Sequence, residues 1–262
     1  MLDLHLHVLP AIDDGAADAF ESHQMLKRWA DYGFTELVTT PHLGGKLSPI
    51  YAAGVADALD RTAEVASSCG ITLHRGYEIM LQPDLPERLE AGEQVTLAGS
   101  KAVLVEVPFM QWPSFTEETM FGVQTAGFWP ILAHPERYLA VQDDPARALA
   151  LAGRGVVMQL TYASLAGALG RSAQRTAELL MVADIAIVLA SDAHSGGQRL
   201  VTILRGIERA RELAGESRTR QMTVDNARSL LNDEPLPDPA AIEPERSRPG
   251  PLERVKQIIR QS

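Results

Sequence analysis

Residues 2–7 read Leu-Asp-Leu-His-Leu-His, and residues 185–194 read Ile-Ala-Ile-Val-Leu-Ala-Ser-Asp-Ala-His. Each is a short apolar run that ends in side chains able to bind a cation or carry a proton. Apolar runs of this length, rich in β-branched residues, are buried-strand candidates. Five more follow the same pattern, at residues 35–40, 71–79, 101–107, 129–133 and 156–160. Between them the spacing of apolar residues predicts helices over 18–32, 49–69, 115–126, 144–152, 172–183 and 198–213, and Gly33 and Gly70 stop the first two. The stretch from the third strand to Ser100 reads as a loop-rich insert.

Seven strands separated by helical connections predict an α/β protein with a parallel sheet. The 262 residues suit a closed β/α (TIM-like) barrel, for which about 250 is usual. A doubly wound open sheet has the same pattern. However, no G-x-G-x-x-G follows the first strand and no Walker-type loop occurs, which disfavours a nucleotide-binding sheet. The composition changes near Asn232: six of the sixteen prolines lie between Pro235 and Pro251. The chain therefore divides into a body, residues 1–232, and a Pro-rich linker with a short amphipathic terminal helix, residues 233–262. That helix either lies on the body or docks on another subunit, so a homo-oligomer is one expectation.

With 45% hydrophobic and 22% charged residues, the composition is that of a globular domain. The single cysteine, Cys69, excludes an intrachain disulfide and a thiolate metal cluster. It precedes Gly70 at a helix end and reads as a packing residue. The formal charge of −10 argues against nucleic acid as a partner but not against an anionic substrate, because bound cations can make one pocket locally positive. No apolar run approaches the ~20 residues of a membrane span. The first residues carry no basic segment, so a cytoplasmic location is expected.

In a parallel barrel the strand ends share one rim, and the loops there build the active site. His5 and His7, His42, Glu78, Glu106, His134, and Asp192 with His194 all fall at or just beyond predicted strand ends. Positions i and i+2 on a strand face the same way, so His5 and His7 point together. Singly, each of these is equally an ordinary core histidine or surface acid; eight at one rim form a site. Nitrogen and oxygen donors without thiolates suit Mn²⁺, Zn²⁺ or Fe, and eight candidates imply two or three ions. Such a site can activate water and clamp the oxygens of a displacement at phosphorus. Arg137 and Arg199, just past His134 and His194, offer guanidinium groups for phosphate. Asp13 or Asp14 is a further ligand, a proton donor to the leaving group, or a helix-entry turn residue. His23 and His74 read as structural.

The strings LDLHLHVLPAIDDG (2–15), TTPH (39–42), GYEI (76–79), LVEVP (104–108), AHPERY (133–138), MQLTYASLAGALG (158–170) and SDAHSGGQR (191–199) resemble the PHP (polymerase and histidinol phosphatase) superfamily. Within it they are most similar to the bacterial CpsB/CapC-type manganese-dependent protein tyrosine phosphatases. The resemblance runs from residue 2 to about 230. It implies a distorted, seven-stranded barrel with a trinuclear centre. His5, His7, Glu78 and Asp192 would hold one ion, Glu78, Glu106 and His134 a second, and His42 with His194 a third. Asp14, Arg137 and Arg199 match the family's acid and phosphate-binding positions. It also implies a partner, the phosphorylated tyrosine-rich tail of a bacterial tyrosine kinase controlling capsule or exopolysaccharide synthesis. Leu43 departs from the pattern, where many relatives carry a second histidine.

The function expected is hydrolysis of phosphotyrosine on protein by metal-activated hydroxide. Two alternatives stay open: a phosphatase of a small phosphomonoester such as histidinol phosphate, and a non-catalytic module that docks a kinase.

Overall fold

A computed structural model of the chain describes residues 1–196 and 198–242, without the side chains of 198–200. The elements run β1 (Leu2–Leu6), α1 (Ala19–Asp31), β2 (Glu36–Thr39), β3 (His42–Leu43), α2 (Pro49–Ser68), β4 (Thr72–Arg75), β5 (Glu78–Met80) and α3 (Leu85–Glu90). They continue with β6 (Ala102–Glu106), α4 (Thr116–Thr125), β7 (Trp129–Ala133), α5 (Leu139–Asp143), α6 (Ala146–Ala152), β8 (Val157–Thr161) and α7 (Tyr162–Leu165). The last are α8 (Arg171–Met181), β9 (Ile187–Ala190), α9 (Gln198–Arg220) and α10 (Asn226–Leu231).

Every strand pairing is parallel, so the α/β expectation holds. The ladders form two sheets, β1-β2-β4 and β3-β5-β6-β7-β8-β9, rather than one closed ring. The third predicted strand is broken in two, and a short further strand, β3, follows the second just beyond its predicted end. Pro41, which has no N–H to give, parts β2 from β3. Gly76 parts β4 from β5 where a Cβ would come within 2.6 Å of Leu97 Cδ2. Beyond each break the chain keeps its neighbour, through Gly76 N–H to Thr39 O (2.8 Å) and Glu78 N–H to Pro41 O (3.2 Å). At the other edge Asp192 N–H donates to His5 O and His7 N–H to Ala193 O, both at 2.9 Å.

Two apolar clusters hold this frame. Leu2, Leu4, Val38, Leu104, Ile131, Val157 and Val188 of the strands pack with Ala227 and Leu230 of α10, so the last helix covers the end of the strands opposite the predicted rim. Asn226 Nδ2 fixes α10 by donating to Ile187 O at 2.7 Å. A larger cluster, including Leu26, Trp29, Val105, Leu132 and Leu180, lies between strands and helices. The helices start where the sequence marks them: Ser48 caps α2 ahead of Pro49, and Asp18 caps α1 by accepting from Glu21 N–H.

The insert before Ser100 contains α3, and α9 runs past Leu213 to Arg220 with a break at Gly215. Residues 233–242 form no helix or strand, yet they are tied to the body: Gln221 Nε2 donates to Asp238 O (2.7 Å) and Lys101 N–H to Asp233 Oδ1 (2.6 Å). The predicted terminal helix lies outside the described residues. Among the described residues no helix is long and apolar enough to cross a membrane.

Candidate metal centre

The eight predicted donors meet at one place. His5 Nε2 and His7 Nε2 are 3.3 Å apart, as the i, i+2 spacing on β1 requires. Glu78 opens β5 and lies between them, fully buried. Its Oε2 is 3.0 Å from His42 Nδ1, 3.2 Å from His5 Nε2 and 3.4 Å from His7 Nε2. His134 Nε2 reaches the other oxygen, Oε1, at 2.9 Å. Asp192 Oδ1 is 3.4 Å from His5 Nε2, 3.6 Å from His7 Nε2 and 3.6 Å from His194 Nδ1. Glu106 Oε2 is 3.8 Å from His42 Nδ1.

The backbone is bent to aim two of these groups. His134 has φ 31° and Asp192 φ 50°, the left-handed region that non-glycine residues seldom enter. Such conformations persist where surrounding contacts hold them, and they concentrate at functional sites.

Three groups of donor atoms converge closely enough to hold a cation: His5, His7, Glu78 and Asp192; His42, Glu78 and Glu106; and His7, Asp14, His42 and His194. The first set is the one the resemblance implies. The other two differ from the implied sets: His42 stands in place of His134 beside Glu78 and Glu106, and His7 and Asp14 join His42 and His194. The chemistry fits a metal for a specific reason. Glu78 Oε2 is buried and accepts no hydrogen bond, although three ring nitrogens surround it. A buried carboxylate oxygen left this way is costly unless a cation completes it.

The charges in this cluster oppose burial. Desolvation disfavours the His5 imidazolium, yet Glu78 and Asp192 beside it lift its pKa to about 9. Burial would raise the Glu78 carboxyl, but the flanking histidines hold it well below the usual range. Glu106 moves the other way, raised by burial and by the Glu78 charge. Burial and the His7 charge bring His194 down to about 4, which leaves a neutral imidazole available as a ligand.

Asp13 and Asp14, open alternatives in the sequence, have separate places. Asp13 Oδ2 accepts from His7 Nδ1 at 2.7 Å and from His42 N–H at 3.1 Å, and Oδ1 from Gly15 N–H at 3.0 Å. It orients the His7 imidazole and ties down the backbone of His42. Asp14 is mostly exposed and faces His42 Nε2 (3.3 Å) and His194 Nε2 (3.4 Å). Glycine is required next, at position 15: a Cβ there would come within 2.2 Å of His7 O.

Gln159, on β8, belongs to the site and was not singled out in the sequence; the signal was a lone amide inside an apolar strand. Its Oε1 accepts from the His134 backbone N–H at 3.1 Å, which identifies that atom as the oxygen. His5 Nδ1, 2.9 Å from the same oxygen, must therefore carry a proton, which leaves Nε2, facing Glu78 and Asp192, as the nitrogen whose proton a bound cation would displace. Gln159→Leu should cost about ten- to a hundredfold in metal affinity, measured by titration of the metal-free protein, whereas Gln159→Glu, which keeps the acceptor, should cost less. Equal affinity in Gln159→Leu and wild type would refute this role.

Arg137, 20% exposed, lies over the Phe109 ring at 4.6 Å from its centroid and donates to Asp192 Oδ2. Arg199 opens α9, but its side chain lies outside the described residues. His23 is exposed on α1, and His74 lies on β4, 3.8 Å from Glu36; neither lines the site. Cys69 caps α2 and is not among its walls either. Above the donor cluster opens a cavity of about 700 Å³, walled by Leu43, Met80 and Phe109 as well as by Arg137 and the ligating groups.

The chain is similar to several known proteins. The tyrosine-protein phosphatase YwqE of Bacillus subtilis is 32% identical over 197 residues, 74% of this chain and 78% of its own length. The tyrosine-protein phosphatase CpsB of Streptococcus pneumoniae is 24% identical over 89% of this chain and 99% of its own. A crystal structure from work on YwqE and CpsB, described as metal-dependent tyrosine phosphatases, superposes with a TM-score of 0.82 at 26% identity, covering 94% of this chain and all of the other. The lactonase Lmo2620 of Listeria monocytogenes shares the fold only, at 16% identity and a TM-score of 0.54. The family model for capsular polysaccharide synthesis, CpsB/CapC, matches residues 1–232. The chain belongs to the CpsB/CapC family.

Proposed function

We propose that this protein hydrolyses phosphotyrosine on protein, using two or three divalent ions, Mn²⁺ first among them, held by His5, His7, His42, Glu78, Glu106, His134, Asp192 and His194. One observation carries the reading: eight nitrogen and oxygen donors cluster together, and six of them, His42, Glu78, Glu106, His134, Asp192 and His194, line a cavity that has an arginine and three apolar side chains in its walls, with His5 and His7 buried beneath. The scaffold is read as a distorted seven-stranded barrel, supported by the hydrogen bonds that carry β2 into β3, β4 into β5, and β1 onto the end of β9.

When bound, the ions would polarise water and the phosphoryl oxygens. The chain's own residues do the rest. Arg137 offers paired N–H donors to the phosphoryl group. Asp14, half-way out of the site between His42 and His194, is placed to hand a proton to the departing phenolate. Leu43, Met80 and Phe109 give an aryl ring an apolar wall. Arg199 is assigned to the phosphate with Arg137. The protein is proposed to act in the cytoplasm on the phosphorylated tyrosine-rich tail of a bacterial tyrosine kinase, supported by the family's link to capsule synthesis.

Purified protein should cleave a phosphotyrosine peptide, lose that activity to a chelator and regain it with Mn²⁺. It should also prefer the peptide to histidinol phosphate in kcat/KM. Full activity after rigorous metal removal overturns the proposal. Cys69→Ala should leave kcat unchanged, because the thiol is away from the cavity; an inactive Cys69→Ala protein would indicate a cysteinyl-phosphate route instead.

A further inference from the structure

Beside the metal cavity lies a second hollow of about 250 Å³, lined by Phe109, Met110, Leu139, Leu169 and Ala173, with Arg137 and Gln142 at its polar edge. Phe109 and Arg137 wall both cavities, so the two are adjacent across one aromatic ring and one guanidinium. Met110 is 74% and Leu139 42% exposed, and such large apolar side chains side by side on a surface mark a contact site.

The hollow is held in shape by its own backbone. Leu139 N–H donates to Phe109 O at 3.1 Å, locking the loop after β6 to the start of α5. Phe109 stacks on His134, centroids 5.5 Å apart and planes within 21°. The side chains of the metal floor thus fix the ring that separates the two spaces. No carboxylate lines this hollow, although the chain carries a formal charge of −10.

We propose that this hollow is a specificity subsite that takes an apolar side chain of the phosphorylated polypeptide, one or two residues from the phosphotyrosine. The inference rests on the phosphatase reading above. The volume is below the roughly 300–1,000 Å³ of a site for a drug-sized ligand, and suits a single side chain rather than a separate small molecule. An extended chain advances about 3.3 Å per residue, so a neighbour of the phosphotyrosine reaches across the shared ring. Arg137 at the junction holds the phosphoryl group on one side and covers the ring on the other.

The test compares metal-loaded protein on p-nitrophenyl phosphate and on phosphotyrosine peptides that differ only in their flanking residues, Leu or Gly on either side. Wild type should favour the Leu peptide over the Gly peptide by about tenfold in kcat/KM, the effect of filling an apolar pocket. The double variant Met110→Ser, Leu139→Ser should abolish that preference and leave p-nitrophenyl phosphate hydrolysis unchanged. Both positions are partly exposed, so the fold tolerates the change, and the p-nitrophenyl phosphate rate reports it. Equal rates on the two peptides in wild type, or an equal loss on all three substrates in the variant, overturn the subsite alone. Failure to hydrolyse any of the three substrates would overturn the phosphatase reading, and the subsite would fall with it.

Discussion

Glu78→Gln should lower kcat/KM on a phosphotyrosine peptide by about a thousandfold and should purify with less metal than the wild type. The substitution keeps the volume of the side chain and removes its charge, so the effect isolates electrostatics. Glu78 is the carboxylate set among four of the histidine donors: His134 through Oε1, and His5, His7 and His42 through Oε2. It is also common to two of the three donor groups. Losing it removes a shared anion from the floor, and an amide nitrogen turned toward the ring nitrogens would oppose a cation. Charge stabilisation by a bound ion is worth several kcal/mol, and each 1.36 kcal/mol is a factor of ten in rate. Metal analysis and kinetics on the same preparation check both parts. A Glu78→Gln protein that keeps its metal and more than a tenth of its activity would show that Glu78 is only a structural acid.

How much of this was legible in the sequence depends on what each residue needed. The donors were legible because a parallel sheet forces strand ends to one side, and β1, β7 and β9 end where the apolar runs end. The short strand beyond Pro41 and the break at Gly76-Tyr77 were not, since the former lies past the end of the second predicted run and the latter lies inside a run whose composition is still strand-like. Both matter, because they carry His42 and Glu78 inward onto β3 and β5. Glu78 therefore begins a short strand rather than ending a long one. The roles of Asp13 and Asp14 could not be separated by spacing, because adjacent residues in a turn differ only in which way the tertiary contacts point them. Gln159 gave a weak signal, one amide in Val-Met-Gln-Leu-Thr, and its meaning came only from the two donors that share its oxygen. Short helices such as α5, α7 and α10 are fixed by packing rather than by periodicity, which needs more turns than they have.

Arg137→Ala should reduce kcat by a hundred- to a thousandfold while metal content stays at the wild-type level, and Arg137→Lys should recover only part of that loss. Removing one charged donor aimed at a developing oxyanion has costs in this range. The lysine result is the informative one. Lysine keeps the charge but not the planar fork that grips two phosphoryl oxygens at once, nor the flat face that lies over Phe109. The structure also explains why the guanidinium is held ready. Pro135–Arg137 form a tight turn closed by Arg137 N–H to His134 O at 2.9 Å. Glu136, fully buried, anchors this turn to β8 by accepting from Thr161 N–H and Thr161 Oγ1, each at 2.9 Å. His134 and Arg137 are thus positioned by one rigid unit, so a change confined to the arginine head should leave the His134 donor in place. Inorganic phosphate binding, followed as competitive inhibition, should weaken in parallel with kcat in both variants. Wild-type kcat in Arg137→Lys would mean that a point charge suffices, and loss of metal in Arg137→Ala would mean that the arginine acts through Asp192 instead.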